Sequence, residues 1–343
     1  MVSRRLLIVA DSVEGGLGEL AHSQAAWFAS HDWEVALASG ATDVSGSLLV
    51  YPLSLPPTAL DVAGMRQAAR ELRVAKRVFR PDVVHCHGLR SFGSALLAGG
   101  RPFVTLHGAG TVPGEPLVHR AARRIALAMA PRIAPGAFVV APDLLPRWRF
   151  LAHASSRLAT FDLLPFPSEG TPTFLWLGRL ALPKRPEMFI EALAIASRQI
   201  KMAGIVAGSG PLERRLRELA CRLNVSVRFV GHASEIVPLL SESWAVVLLS
   251  WFEGLPLAIE EAMWAGRPVV SSRLPGPAWL LGECGTLANS VESVAEMLVR
   301  LADPNVARTL GEAAAERIRS VINVDDPWPA LEAIYSEEIN GQL

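Results

Sequence analysis

Short apolar runs alternate with amphipathic segments along most of the 343-residue chain. Runs such as Leu6–Ala10 and Ala245–Ser250 carry no charge and have the length of a buried strand. Each is followed by a turn and then by a longer segment whose apolar residues have helical spacing. Alternation of this kind predicts parallel sheets covered by helices, which is an α/β fold.

The predicted elements divide into two domains, because a chain of this length can bury two α/β cores. Residues 1–165 form the predicted first domain, residues 166–325 the second, and residues 326–343 a final amphipathic helix. The proline-punctuated segment Ser155–Thr173 is the predicted linker. The predicted strands are Leu6–Ala10, Glu34–Ser39, Leu48–Tyr51, Asp82–His87, Phe103–Leu106 and Val139–Val140, then Phe174–Leu177, Ala203–Ala207, Val227–Val230 and Ala245–Ser250.

Charge and cysteine content narrow the classes of partner. The 33 Lys and Arg balance 33 Asp and Glu, so no overall attraction to nucleic acid is expected. Residues 1–166 hold 17 basic and 12 acidic side chains, and residues 167–343 hold 16 and 21. This asymmetry fits an anionic partner near the first half, and a charge match between the domains explains it equally well. The three cysteines indicate neither a disulfide framework nor a zinc site, so a cytoplasmic location is expected.

One segment suggests contact with a membrane surface. Leu117–Arg132 places several basic residues beside the apolar run Ile125–Ala130, and such a helix could lie on an anionic bilayer. The most apolar region, Ile125–Leu145, is broken by prolines and Arg132 and falls short of the roughly 18 apolar residues of a spanning helix. Peripheral contact with the inner face of a membrane is therefore a hypothesis, and a solvated charged face is its alternative.

The segment Phe252–Val270 contains the largest group of candidate ligand-binding residues. Gly254 lets the backbone approach a ligand closely, and Pro256 suits the first position of the helix that follows. The N–H groups and the dipole at this helix N-terminus predict an anion site. Glu253 before the helix and Glu261 within it could bind hydroxyl groups on either side of a bound phosphate group.

Two cations follow the predicted strand Phe174–Leu177. Arg179 offers a planar fork of donors, and Lys184 offers a mobile point charge in the same loop. Fixed cations of this kind can neutralise a departing diphosphate. The loop therefore predicts a second part of an anion site.

Glycine and histidine residues mark further strand ends in the first half. Gly16 belongs to the glycine-rich turn Asp11–Gly18, which precedes a helix running to about Ala29 and has a phosphate-friendly arrangement. His107 follows the strand Phe103–Leu106 and is a candidate site residue, although a lone histidine is more often structural.

A cluster of histidines and cysteine falls on another strand. His85 and His87 share one face of that strand and Cys86 takes the other, so the three cannot bind one metal ion together. Structural packing is the favoured interpretation for His87, with a ligand-lining role at the strand end as its alternative.

A family resemblance rests on the residues after Phe252. Glu253 and Glu261 with seven residues between them, followed by Ala262-Met263 and Gly266–Val270, resemble the signature of retaining glycosyltransferases of family 4. The spacing selects Glu261 rather than its neighbour Glu260. The resemblance implies the GT-B fold, in which two Rossmann-like domains face each other across a cleft. It also implies that residues 1–165 bind the acceptor, that residues 166–325 bind the nucleotide-sugar donor, and that the final helix, residues 326–343, crosses back to the first domain. It is strong over residues 173–270 and weak over the first 170.

The resemblance also implies an activity: a retaining, metal-independent hexosyltransferase that moves a sugar from a nucleoside diphosphate sugar to an acceptor hydroxyl of a glycan, a glycolipid or a secondary metabolite. No cofactor is implied, because the arginine and lysine replace the metal ion. The donor base and sugar and the acceptor stay open. The implied catalytic residues are His107 and Glu253, and the implied donor-binding residues are Gly16, Arg179, Lys184, Gly231, Gly254, Leu255, Leu257 and Glu261.

Two alternatives share the fold. A sugar phosphorylase would use free phosphate, and a ribose-binding Glu261 would then have no role. A catalytically degenerate binding subunit would support another transferase, and retention of Arg179, Lys184 and both glutamates argues against it. Departures from the family pattern near Phe161 and in Ser271–Gly285 keep this second alternative open.

Overall fold

The computed structural model describes residues 3–10, 15–40, 48–56, 58, 60–108, 113–140, 148–150, 163–167, 169–233, 235–322 and 327–341. The chain folds as two compact units. The first unit contains the chain up to Ala109, Gly114–His153 and Asp325–Leu343, and the second unit consists mainly of Ala154–Val324.

In the described part of the first unit, seven strands form one parallel sheet. Its strands are β1 Arg4–Ala10, β2 Trp33–Ser39, β3 Leu49–Pro52, β4 Val83–His87, β5 Phe103–Leu106, β6 Ala137–Val139 and β7 Arg149–Phe150. Their order across the sheet is β3-β2-β1-β4-β5-β6-β7. The central strands are buried on both faces, as near-continuous apolar runs require.

The helices of the first unit pack on this sheet. They are α1 Gly15–Ser30, α2 Val62–Phe79, α3 Leu89–Leu97, α4 Leu117–Ile133 and, from the end of the chain, α12 Trp328–Ile339. Helix α2 begins after Asp61, whose side chain accepts a hydrogen bond from the Gly64 amide at 2.9 Å. It ends at Arg80, whose backbone is left-handed with φ 52°.

The described part of the second unit contains a six-stranded parallel sheet. Its strands are β8 Thr173–Leu177, β9 Ala203–Ala207, β10 Val227–Gly231, β11 Ala245–Leu248, β12 Val269–Ser271 and β13 Thr286–Leu287. Its helices are α5 Pro186–Ala196, α6 Glu213–Arg222, α7 Val237–Ser241, α8 Leu257–Trp264, α9 Pro275–Leu281, α10 Val291–Leu301 and α11 Pro304–Val321.

Both sheets have the doubly wound order of a Rossmann fold. In the second unit the order is β10-β9-β8-β11-β12-β13, so the direction of winding reverses between β8 and β11. In the first unit the same reversal lies between β1 and β4. The predicted architecture of two Rossmann-like domains with parallel, helix-covered sheets is confirmed.

Several predicted boundaries are wrong by a few residues. Strand β11 ends at Leu248 rather than Ser250. Pro256 is the N-cap of α8 rather than its first helical residue, with φ −79° and ψ 114°. Helix α1 begins at Gly15, so Gly16 lies in a helix rather than in a turn. The strand predicted as the last of the first domain is followed by β7.

Parts of other predictions fall outside the described residues. They are residues 11–14 of the glycine-rich turn, residues 155–162 and 168 of the linker, and residues 109–112 after His107. None of the described helices is long and apolar enough to span a bilayer.

Candidate functional site

Most of the candidate residues of the second unit follow the two strands at its winding reversal. Strand β8 ends at Leu177 and leads to Arg179 and Lys184, whereas β11 ends at Leu248 and leads to Glu253 and α8. In open parallel sheets, ligands bind beyond the carboxyl ends of the strands at such a reversal. The topology therefore brings these segments, which are about 70 residues apart in sequence, to the edge where a ligand site is expected.

Glycine residues let the loop after β8 pack closely against the loop after β9. Gly208, after β9, has φ 139°, and a Cβ atom there would lie 1.8 Å from the Gly178 carbonyl oxygen. No other residue type could bring the two backbones so close. Arg179 follows Gly178 directly and is exposed. The chain then forms a 3-10 turn, Leu182–Lys184.

Lys184 and Glu253 form the central polar contact of the site. Lys184 Nζ donates to Glu253 Oε1 at 2.5 Å, and Ser250 Oγ donates to the same oxygen at 2.5 Å. The Glu253 side chain is 10% exposed and that of Lys184 30%. A backbone bond from the Trp251 amide to the Pro183 carbonyl, 2.9 Å, joins the same two loops. This backbone bond supports the position of the ammonium beside the carboxylate independently of their own contact.

The loop before α8 is fixed from its other side by α9. Gly254 is buried, and a Cβ atom at Gly276 would lie 1.7 Å from the Gly254 carbonyl oxygen. The first intrahelical bonds of α8 run from the amides of Ile259 and Glu260 to the Pro256 carbonyl. The Leu257 amide therefore precedes the helix ladder, as expected at a helix N-terminus. This part of the predicted anion site has the expected backbone arrangement.

The second glutamate of the motif lies within α8. Glu261 is the fifth residue of this helix and is 4% exposed, and its neighbour Glu260 is 0% exposed. Buried carboxylates are uncommon unless they are paired or functional. Burial alone does not separate the two residues, so the choice of Glu261 stays a prediction.

Arg267 follows α8 and is fully buried. Its guanidinium donates to the carbonyls of Leu240 at 2.8 Å and Pro165 at 2.6 Å, and burial lowers its pKa to about 10. It ties the start of the second unit to α7 and to the end of α8. This arginine is therefore a structural anchor rather than a ligand contact.

Gly231 closes the same edge of the sheet. It ends β10 with φ 71°, a left-handed conformation that glycine adopts without strain, and its carbonyl accepts a bond from the Gly208 amide at 2.6 Å. The predicted donor residues Leu255 and Leu257 are both half-buried in the adjoining loop and helix start. The candidate residues of the second unit therefore lie at the end of β10 and after β8 and β11.

The candidate histidine of the first unit is bonded to another histidine. His107 follows β5, and its Nε2 lies 3.0 Å from Nδ1 of His87, which ends β4. Burial lowers the pKa of His107 to about 4, so the ring is neutral at physiological pH. His85 is also neutral, because burial and then the charge of His107 lower its pKa to about 3.

Gly16 is the remaining candidate residue of the first unit. Gly16 lies in the first turn of α1, which follows β1 at the winding reversal of the first unit. Across the described ranges of the chain, no three His, Cys, Asp or Glu side chains are grouped so that they could hold a metal ion.

Four residues that shape these sites are absent from the residues predicted from the sequence. Ser250 supports Glu253, Gly276 accommodates Gly254, and Gln24 and Tyr335 contact the histidines of the first unit. Ser250 had a visible signal, since it is the first polar residue after an apolar strand and stands three residues before Glu253. Gln24 and Tyr335 had none, because their contact joins positions 311 residues apart.

Comparison with known proteins assigns a family signature to the second unit. Residues 171–303 match the family model described as Glycosyl transferases group 1. A trehalose synthase from Pyrococcus horikoshii is 31% identical over 132 residues, which are 35% of this chain and 32% of that protein. The resemblance to group 1 glycosyltransferases is thereby supported for this part of the chain.

Solved structures extend the likeness to both units. A sucrose-phosphate synthase from Thermosynechococcus elongatus superposes with a TM-score of 0.79 at 19% identity, covering 98% of this chain and 100% of that one. Anabaena Alr3699/HepE, solved with UDP and glucose, gives a TM-score of 0.75 at 16% identity over 96% and 99% of the two chains. At these identities the likeness shows the fold, and the GT-B assignment is confirmed.

The sequence matches are partial in length. The chain spans between 32% and 49% of the first three curated relatives that it matches. The activity of the whole protein therefore has to be argued from its own site.

Proposed function

We propose that the protein is a glycosyltransferase that moves a hexose from a nucleoside diphosphate sugar to an acceptor hydroxyl. The observation that carries this proposal is the arrangement at the β8/β11 reversal. There the Lys184–Glu253 pair, the N-terminus of α8 and the buried Glu261 all belong to one edge of one sheet. A cation, a set of free amides and a carboxylate are the groups that a diphosphate, a sugar and a ribose require.

In this proposal, the diphosphate is bound by cations and backbone amides. Arg179 and Lys184 supply positive charge, and the amides of Gly254, Leu255 and Leu257 supply neutral donors at the positive end of the helix dipole. Lys184 already has Glu253 as a partner, so its ammonium is positioned before any ligand arrives. Charge that develops on the leaving group is then stabilised without reorganisation of the site.

The two carboxylates bind the hydroxyl groups of the donor. Glu261 accepts hydrogen bonds from the ribose, and Glu253 orients the sugar while it keeps its bond to Lys184. Gly231, at the end of β10, brings the backbone close to the base. Separately, we propose Gly16 and His107 as the ligand-contacting residues of the first unit, with His107 contacting a sugar as a neutral ring.

Retention of anomeric configuration and independence of metal ions belong to the same proposal. Their support is the family-like spacing of Glu253 and Glu261 and the presence of Arg179 and Lys184 where cations are needed. The leaving phosphate takes the acceptor proton in this mechanism, so no separate base is assigned. UDP sugars are the first donors to test, since HepE was solved with UDP-glucose and a TarM variant with UDP.

We also propose that α4 contacts an anionic membrane. Leu117, Ile125 and Met129 are exposed along one side of this helix, and Ile125 is 65% exposed. Arg120 and Arg124 are exposed beside them. An exposed apolar stripe flanked by arginines is the pattern of a helix that lies on anionic lipid. Such contact would bring the enzyme to a lipid-linked acceptor.

Release of nucleoside diphosphate from a panel of UDP, GDP, ADP and dTDP hexoses tests the transferase activity, with and without candidate acceptors. We expect one donor to be turned over in the presence of EDTA, and Glu261→Gln to lose most of that turnover. Glu296→Gln, at an exposed position of α10, is the matched control and keeps it. Turnover that requires inorganic phosphate and no nucleotide would replace this proposal with a phosphorylase.

A further inference from the structure

Six buried or half-buried polar side chains of the first unit are connected in series by hydrogen bonds and form a hydrogen-bond chain. His107 contacts His87, His87 Nε2 contacts Gln24 Oε1 at 2.7 Å, and Gln24 Nε2 donates to the Tyr335 hydroxyl at 2.8 Å. The Tyr335 hydroxyl then contacts His85 Nδ1, and His85 Nε2 lies 2.7 Å from Thr105 Oγ1. The chain joins β4, β5, α1 and α12, so it links the last helix of the protein to the candidate site residue.

The amide of Gln24 gives this chain a direction. Its oxygen can only accept, so His87 Nε2 must carry a proton and donate it. His87 is 1% exposed, and its two ring nitrogens contact His107 and Gln24. Burial of this depth disfavours the charged form of an imidazole. A neutral ring with its proton on Nε2 has a lone pair on Nδ1. His107 Nε2 must therefore donate to His87 Nδ1.

The same direction continues on the other side of the amide. Gln24 Nε2 donates to the Tyr335 oxygen, so the Tyr335 hydroxyl proton is left to donate to His85 Nδ1. His85 is neutral and therefore carries its proton on Nε2, which donates to Thr105 Oγ1. Every donor and acceptor between His107 and Thr105 is satisfied in one polarity. A reversal of any single bond would place two donors or two lone pairs opposite each other.

We propose that Gln24 and Tyr335 are positioning residues that hold His107 as the neutral Nε2–H tautomer. Nδ1 of His107 is then the lone-pair nitrogen, so the half-buried ring accepts a hydrogen bond from a ligand hydroxyl at this atom and does not donate one. Helix α12 thus fixes the chemical character of a site residue through Tyr335, without contact with the ligand. Only the role of His107 toward a sugar rests on the proposed function.

Packing around Tyr335 fixes the position of its hydroxyl group in the hydrogen-bond chain. Tyr335 is 0% exposed, and its ring meets Phe103 at a centroid distance of 4.8 Å and Trp33 at 6.0 Å. Trp33 Nε1 also donates to Glu332 Oε1 of the same helix at 2.9 Å. The hydroxyl therefore cannot move away from Gln24 and His85 without displacing α12.

The test is the tautomer of His107, read from long-range ¹H–¹⁵N correlation spectra of histidine-labelled protein at neutral pH. His107→Gln assigns the signals by their loss. We expect Nε2 of His107 to show the shift of a protonated nitrogen and Nδ1 that of an unprotonated one. A proton on Nδ1 in the wild-type protein would overturn the inference.

Two variants test the coupling. In Gln24→Glu, a carboxylate faces His87 and favours its imidazolium, whose Nδ1 then donates to His107 and moves the His107 proton to its Nδ1. Tyr335→Phe keeps the packing but removes the acceptor of the Gln24 amide, so the His107 signals shift toward a mixture of tautomers. The exposed Gln199→Glu in the second unit is the control and leaves them unchanged. Unchanged His107 signals in both Gln24→Glu and Tyr335→Phe would refute the inference.

An activity measurement separates this inference from the proposed function. With a donor that the enzyme turns over, Tyr335→Phe should lower kcat by about 10- to 100-fold while the donor KM stays within about twofold. A tautomer shift in a protein that turns over no donor would refute the proposed function and keep the inference. Full kcat in Tyr335→Phe with shifted signals would refute the positioning role alone.

Discussion

Lys184 Nζ lies 2.5 Å from Glu253 Oε1, although the two residues are 69 positions apart in the sequence. The contact joins the loop after β8 to the loop after β11, the two strands that flank the winding reversal of the second sheet. It places a cation and a carboxylate side by side at the edge where Rossmann-like sheets bind ligands. In the proposed function, this pair connects the diphosphate to the sugar.

Replacement of Lys184 by methionine tests this connection. We expect kcat/KM for the donor to fall by about 10- to 100-fold, because a hydrogen bond to a charged group contributes about 1.5–3 kcal/mol. The free energy of unfolding should change by less than about 1 kcal/mol, because the pair is partly exposed. Steady-state kinetics and urea unfolding measure the two quantities. Lys201→Met, at an exposed position, is the control, and a kcat/KM equal to that of the control would refute the role.

Gly276→Ala tests the support of the Gly254 loop. The new Cβ atom would meet the Gly254 carbonyl oxygen at 1.7 Å, so the loop or α9 must shift. We expect a destabilisation of about 1–3 kcal/mol and weaker binding of the donor nucleotide, measured by thermal unfolding and by calorimetric titration. At Gly40 an added Cβ lies 3.4 Å from its nearest neighbour, so Gly40→Ala is the control. Unchanged nucleotide affinity in Gly276→Ala would show that the loop does not bind it.

The fold was predictable because its signals are local. The apolar run Phe174–Leu177 and the strand Phe103–Leu106 each ended where an uncharged run met glycine or histidine, and the structure places β8 and β5 there within one residue. The start of α1 was not predictable from local signals, because a glycine-rich sequence usually indicates a turn. Helix α1 begins at Gly15 although three of its first four residues are glycine, so tertiary packing overrides their low propensity.

The composition of the sites was only partly predictable. The sequence predicts separate roles toward a ligand for Lys184 and Glu253, and it contains no signal that the two side chains contact each other. Tyr335 and His85 are 250 residues apart, and only the docking of α12 on the first unit brings them together. Such pairs depend on how elements pack, and single-sequence periodicity contains no information on that packing.

The neutral histidines of the first unit predict a loss of stability in acid. The pKa values of His85 and His107 are lowered to about 3 and about 4, whereas an unfolded histidine titrates near 6.5. Between pH 6.5 and 4 the unfolded state therefore binds more protons, and the free energy of unfolding falls as the pH falls. Each ring contributes a slope of up to about 1.4 kcal/mol per pH unit.

Urea unfolding between pH 7.5 and 4.5 measures this dependence. His85→Gln should show a shallower decline than the wild-type protein, because one of the two proton-binding sites of the unfolded state is gone. An equally steep decline in His85→Gln would contradict the assignment of a depressed pKa to this ring.

Sedimentation with vesicles of phosphatidylglycerol and phosphatidylcholine tests the membrane contact of α4. We expect binding at low salt that decreases as the salt concentration rises, since the attraction is partly electrostatic. The double variant Arg120→Glu/Arg124→Glu should lose this binding, whereas Arg214→Glu/Arg215→Glu, on the exposed face of α6, should keep it. An equal loss of vesicle binding in both double variants would show that net charge alone causes the binding, and would refute the membrane contact of α4.

The most direct test of the central claim is thermal unfolding of the wild-type protein and of Glu261→Gln with UDP, GDP, ADP and dTDP, each with and without EDTA. A nucleotide at about 100 times its Kd should stabilise the protein by roughly 2.7 kcal/mol. We expect a clear rise in Tm with one nucleotide, unaffected by EDTA, and a smaller rise in Glu261→Gln. The absence of a shift with all four nucleotides, or a shift that EDTA abolishes, would refute the proposed metal-independent nucleotide site.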